Sequence, residues 1–183
     1  LGVVTRVTLD LVPTFNVQQH VYQKLPFTNV YESFDEIMGA GYSVSLFPTW
    51  QEDHVESVWV KQQVPTGESD PVADPTFHGA TLPPDGHYWD NPPDRQWTPV
   101  GSVGPWHQRL PHFTFNNAQK EGNELQSEYF IARPDAVNAL KAVSKFRDQV
   151  APILGVTEIR SVAADDLWLS TAYGHDVIGI HFN

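Results

Sequence analysis

The sequence predicts an α+β domain, a mostly antiparallel sheet of about seven strands with helices on one face. Three observations lead there. Segments that alternate apolar and polar residues come in runs rather than in strict alternation with helices. One long stretch after Pro134 carries an apolar stripe at helical spacing. A proline-rich, aromatic-rich segment lies between the two groups of strands and has no lasting period of either kind.

Thr5 to Val12 alternates, with Thr5, Val7, Leu9 and Leu11 on one side and Arg6, Thr8 and Asp10 on the other, and reads as a half-buried strand ended by Pro13. Val17 to Leu25 reads as a second extended segment. Ser33-Phe34-Asp35-Glu36 has the form of a capping box, which predicts a short helix over 34–40 with Gly41 as its stop. Tyr42 to Phe47 and Val55 to Gln62 read as strands, with Pro48 and the acidic Glu52-Asp53 in the turn. From Val64 to Pro111 most of the fifteen prolines fall. Proline fixes φ and lacks a donor, so the segment is irregular. It also holds Phe77, Tyr88, Trp89, Trp97 and Trp106, more aromatic surface than a solvated linker carries, and it is expected to pack as a pocket wall or a subunit contact.

Phe113-Thr114-Phe115 is a short strand candidate. Glu124 to Ala132 alternates, Leu125, Ser127, Tyr129 and Ile131 against Glu124, Gln126, Glu128 and Phe130. Pro134 and Asp135 suit a helix start, and Val137, Leu140, Val143, Phe146, Val150 and Ile153 form the stripe that runs to Pro152 and Gly155. Two last strands follow, Thr157–Val162 and Asp176–Asn183. No internal repeat is visible in the sequence.

These last two strands carry the chemistry. Residues two apart on a strand share a face. Ile159 points one way and Glu158 and Arg160 the other; Ile178, Ile180 and Phe182 form an apolar stripe, with Val177, Gly179, His181 and Asn183 opposite. If the strands are neighbours, an acid, a guanidinium, an imidazole and an amide gather beside a glycine, a set suited to a polyhydroxylated ligand. Taken singly, Glu158 and Arg160 also describe a solvated face with a weak surface ion pair, and His181 a structural histidine.

Other chemistries are bounded by what is present. The 183 residues fit one domain, and with no cysteine there is neither a disulfide nor a thiolate metal site. A formal charge of −11 disfavours nucleic acid and anionic membrane surfaces. No apolar run approaches membrane-spanning length, and no signal peptide is legible. The pairs His78/His87 and His107/His112 match no zinc spacing. No phosphate loop, dinucleotide fingerprint or nucleophile elbow is present. A carboxylate pair for glycoside hydrolysis, drawn from Glu124, Glu128 and Glu158, stays open. Both ends read as falling inside strands, so the chain is expected to be a piece of a longer protein.

The blocks Leu1-Gly2-Val3-Val4-Thr5, Tyr42-Ser43-Val44-Ser45-Leu46-Phe47, Gly104-Pro105-Trp106-His107, Arg109-Leu110-Pro111-His112-Phe113, Glu124-Leu125-Gln126-Ser127-Glu128-Tyr129, Glu158-Ile159-Arg160-Ser161-Val162-Ala163-Ala164-Asp165 and Ile180-His181-Phe182 together resemble the alditol and xylitol oxidases. These are flavoproteins of the vanillyl-alcohol-oxidase type, related to the sugar-lactone oxidases. The resemblance implies that residues 1–183 are the substrate (cap) domain, whose free sheet face covers the ring of an FAD held mainly by a preceding domain. It implies oxidation of the terminal hydroxyl of a polyol such as xylitol to the aldehyde, with O₂ reduced to hydrogen peroxide. Glu158, Arg160 and His181 match the family's catalytic Glu-x-Arg pair and downstream His, and with Asn183 they are the expected substrate-binding residues. The chain departs from the family pattern at Asn183, where Thr is usual, and at His175, where Arg is expected; a later catalytic Lys is expected beyond Asn183. The chain alone is expected to be inactive, to reside in the cytoplasm, and to self-associate through its uncovered sheet surface. A D-arabinono-1,4-lactone-type oxidase and a non-catalytic carbohydrate-binding or structural domain are the alternatives.

Overall fold

The computed structural model describes residues 2–65, 67, 71–83, 100–110 and 125–183. Their architecture is the expected α+β layer, with nine strands rather than seven, all in one sheet. Three of the nine are two-residue strands inside the proline-rich segment, Thr76–Phe77 (β4), Ala80–Thr81 (β5) and Gly104–Pro105 (β6). Such two-residue pairings leave no period for a sequence to display. Phe113-Thr114-Phe115 lies outside the described residues.

The longer strands are β1 (Asn16–Pro26), β2 (Ser43–Phe47), β3 (His54–Val64), β7 (Ser127–Ala132), β8 (Thr157–Val162) and β9 (Val177–Phe182). Their spatial order is β1-β3-β2-β8-β9-β7, and every pairing is antiparallel. A repeat is therefore present in the topology although none shows in the sequence. β1, a helical segment, β2 and then β3 make one unit, with β3 inserted between β1 and β2. β7, a helical segment, β8 and then β9 make the second, with β9 inserted between β7 and β8. The two units meet where β2 pairs with β8, Ser45 opposite Arg160 and Leu46 opposite Ile159.

One face of this sheet is the core. Tyr22, Val58, Leu46, Ile159, Ile180 and Tyr129 stand in one row across six strands. Helices α1 (Phe27–Glu32), α2 (Phe34–Met38) and α4 (Ala136–Lys145) cover it with Phe27, Val30, Phe34, Ile37, Met38, Ala136 and Leu140. Trp50 is fully buried among them; its indole N–H donates to Thr157 Oγ1 at 3.0 Å, which satisfies the polar end of a large apolar side chain. No helix among the described residues is long and apolar enough to cross a membrane.

Three local expectations fail for identifiable reasons. Residues 5–12 form no strand: Val7, Leu9 and Leu11 are exposed, the last at 97%. The alternation is there, but no neighbouring strand among the described residues supplies partners for its backbone groups. The capping box does not close. Ser33 makes no side-chain cap, and its N–H, the donor Glu36 would take, bonds instead to Asn29 O and ends α1, an element the sequence did not signal; Ser33 is the joint between two helices. The long helix breaks at Phe146, whose N–H bonds back to Val143 O. Beyond lie only α5 (Arg147–Val150) and a 3₁₀ turn, so Phe146 and Ile153 leave the stripe and face solvent.

The described parts of the 64–111 segment pack against the β1 edge. Phe77 stacks on Tyr22 at 5.2 Å and Trp106, which opens the one-turn α3 (Trp106–Arg109), stacks on Phe15 at 6.3 Å. Buried Gln18 donates to Pro71 O and Gly101 O, pinning the segment to the strand. Tyr88, Trp89 and Trp97 lie outside the described residues.

Candidate functional site

The face away from the helices is built by the same registers. One row crosses it without interruption: Val21, Trp59, Ser45, Arg160, Gly179 and Phe130. A second row places His181 between Glu158 on β8 and Glu128 on β7. Glu158, Arg160 and His181 are therefore immediate neighbours, as the alternation of their strands required. Asn183 follows His181 by two residues. It lies past the end of β9, where its N–H bonds to Val156 O and its carbonyl accepts from Gly155 and Val156, tying the strand end to the turn before β8. His175 is exposed in the β8–β9 connection, its Nδ1 2.9 Å from Tyr173 O.

Arg160 is the centre of the cluster. Its Nε and Nη2 donate to Glu128 Oε1 at 3.0 and 2.6 Å, and its Nη1 lies 3.6 Å from Glu158 Oε2. The guanidinium thus bridges from β8 across β9 to β7, held in a fork by one carboxylate and flanked by a second. Charge-assisted contacts of this kind fix orientation as well as position. All three side chains are only partly exposed, so the pairing is less screened than on an open surface.

Gly179 makes the bridge fit. A Cβ built there would come within 2.8 Å of Glu128 Oε1, 3.4 Å of Phe130 Cε1 and 3.6 Å of Arg160 Cγ. Its backbone is ordinary for a strand, so glycine is used for close approach and not for a turn. The His181 ring makes no hydrogen bond to the other described residues, which leaves its nitrogens available on the open face.

Sequence reasoning missed two participants. Glu128 entered only as one of three acids for a carboxylate pair; Arg160 lies between it and Glu158, and Glu124 is outside the described residues. The alternation of β7 already put Glu128 and Phe130 on one face, but not which strand they would adjoin. The other is Lys61 on β3, almost fully buried on this same face. Its ammonium lies 5.5 Å from the centre of the Trp59 ring. Burial lowers its proton affinity, and the Glu158 carboxylate works against that shift. The Trp59 indole N–H donates to Ser57 Oγ and its ring packs 4.8 Å from Phe47, giving the polar cluster an apolar wall.

The donor set suits a ligand rich in hydroxyls: a guanidinium, two carboxylates, an imidazole and an aromatic flank. It does not suit a dinucleotide's diphosphate, for which neither a glycine-rich turn nor an accumulation of positive charge is present among the described residues. Nor do any three His, Asp or Glu side chains among them form a metal-binding group.

No family model matches the chain. Over all 183 residues it is 43% identical to the alditol oxidase of Streptomyces sp. (strain IKD472 / FERM P-14339), and it spans 42% of that protein's length.

Proposed function

We propose, for a chain that is homologous over its whole length to part of an alditol oxidase, that these residues form the substrate-binding cap of an FAD-dependent polyol oxidase. The observation that supports the reading best is the adjacency of Glu158, Arg160 and His181 on the sheet face left free by the helices. In the proposed reaction the terminal carbinol of an alditol such as xylitol becomes an aldehyde. The carbon gives up one hydrogen as hydride, the hydroxyl gives up the other as a proton, and O₂ gains both electrons and two protons to leave as hydrogen peroxide. FAD, bound mainly outside this chain, supplies the hydride acceptor and the route of the electrons to O₂.

The chain's own residues bind, orient and hold protons. Arg160 keeps N–H groups free after its two bonds to Glu128. They bind the reacting hydroxyl oxygen and offset the negative charge that develops there as hydride departs. Glu158 accepts hydrogen bonds from the hydroxyls and fixes the carbon chain against the sheet. His181, next to Glu158 in register, takes the hydroxyl proton. Glu128 does not touch substrate; it is a positioning residue that aims the guanidinium. Trp59 and Phe47 shield the C–H side of the substrate from water.

The test is peroxide release by the intact flavoprotein. Xylitol is expected to be oxidised in preference to a γ-lactone, and Glu158→Gln is expected to lower kcat/KM for xylitol by about 100-fold, mostly through KM. A preference for the lactone overturns the substrate assignment. A Glu158→Gln enzyme with the parent's KM and rate removes Glu158 from the site.

A further inference from the structure

The repeated topology relates the two halves of the sheet by an approximate two-fold axis between Ser45 and Arg160. Exchanging the halves takes Trp59 to Gly179 and Val21 to Phe130 along the central row. One step further along each strand, Ser43 is then equivalent to Glu158, Lys61 to His181 and Gln19 to Glu128. The strand registers agree: Lys61 stands between Gln19 and Ser43 just as His181 stands between Glu128 and Glu158. The half of the sheet opposite the candidate catalytic cluster thus carries a second polar row at the equivalent place.

That row is buried and has unmet bonding capacity. Lys61 is 8% exposed, and among the described residues its ammonium has neither an ion pair nor a hydrogen bond. Gln19 is 1% exposed, and its Oε1 has no hydrogen-bond partner among them. A buried donor and a buried acceptor side by side in register cost free energy unless a ligand or ordered water bonds to them. The nearby Trp59 ring links this row to the central one. The influence of Glu158 on the Lys61 ammonium places both in one electrostatic environment.

We propose that Lys61 and Gln19, flanked by Trp59, form a second polyol subsite that binds the hydroxyls farthest from the reacting carbon and thereby selects for chain length. The inference rests on the polyol reading of the first cluster. Lys61 on β3 and Arg160 on β8 are two strands apart and two residues out of register, about 12 Å between backbones. Their long side chains reduce that gap to the span of an extended six-carbon alditol, about 8 Å. Lys61 donates to a distal hydroxyl oxygen and Gln19 Oε1 accepts from the neighbouring hydroxyl. A three-carbon polyol held at Arg160 does not reach them.

The experiment compares kcat/KM for sorbitol and glycerol in the intact flavoprotein, with flavin content and melting temperature as checks of folding. In Lys61→Met the sorbitol-to-glycerol ratio is expected to fall about 10- to 100-fold, the range for losing hydrogen bonds to a charged group. Lys61→Arg, which keeps the charge and donors, is expected to recover part of it. Gln19→Leu is expected to lower the ratio about 3- to 10-fold and carries the test if Lys61→Met does not fold. A ratio unchanged within two-fold in a folded variant overturns the subsite. An equal loss on both substrates also overturns it, since Lys61 then serves the reacting end or only the sheet. A parent enzyme that oxidises no alditol is instead a failure of the functional reading. The same ratio, taken from calorimetric Kd values for the two polyols, then decides on the subsite by itself.

Discussion

Arg160→Leu is expected to lower kcat/KM for alditol oxidation by about 1,000-fold in the flavoprotein, with most of the loss in kcat. Arg160 is the one cation in the Glu158–Glu128–His181 group, and it is the donor proposed to meet the oxygen whose charge rises as hydride leaves. Its removal also leaves Glu128 and Glu158 on either side of His181 with no guanidinium between them. Both acids retain some exposure and hydrate, so the stability cost is expected to be only about 1 kcal/mol. Arg160→Lys separates charge from geometry. A lysine restores the charge but not the fork that Glu128 Oε1 holds through Nε and Nη2, and recovery is expected to stop at least 10-fold short of the parent. Steady-state peroxide production measures both. A leucine variant within three-fold of the parent removes Arg160 from the chemistry.

Gly179→Val is the second large effect, expected as a loss of activity with little loss of stability. Valine suits a central strand, and the first atom its Cβ meets, Glu128 Oε1 at 2.8 Å, is the end of a side chain that can swing away. The strand therefore tolerates the change to within about 1 kcal/mol. The swing breaks the anchor of Arg160, and kcat/KM is expected to fall about 10- to 100-fold. Thermal melting with peroxide kinetics on the same preparation tests the split. A large fall in melting temperature with the parent's kcat/KM per folded enzyme contradicts it. A parallel Gly155→Ala variant, whose Cβ meets only the Asn183 backbone, O at 3.3 Å and C at 3.9 Å, controls for adding a methyl group just before β8.

What the sequence disclosed, and what it withheld, follows from the range of each signal. The alternation of Glu158-Ile159-Arg160 against Ile178-Gly179-Ile180-His181 is local, and it puts the right side chains on one face once the strands are neighbours, as β8 and β9 are. The partner of Arg160 was not legible. β9 is last in the chain yet sits between β7 and β8, and that insertion brings Glu128 within reach from 32 residues away. Lys61 was hidden for a similar reason. On β3 it alternates like any solvent-facing lysine, and only the folded sheet, in which it pairs with Gln19 and Ser43, shows it to be buried. The two-fold repeat left no mark on the sequence because Gln19, Lys61 and Ser43 share no residue type with Glu128, His181 and Glu158. The failed strand at 5–12 is the converse case, a true local pattern without a partner to complete it.

The most direct measurement is the position of a bound alditol in the flavoprotein. A crystal structure with xylitol is predicted to show a terminal hydroxyl within hydrogen-bond distance of Arg160 and His181, the adjacent hydroxyls on Glu158, and the carbon chain running over Ser45 toward Trp59. Xylitol bound against the helical layer, or anywhere that leaves Glu158, Arg160 and His181 without contact to it, contradicts the account.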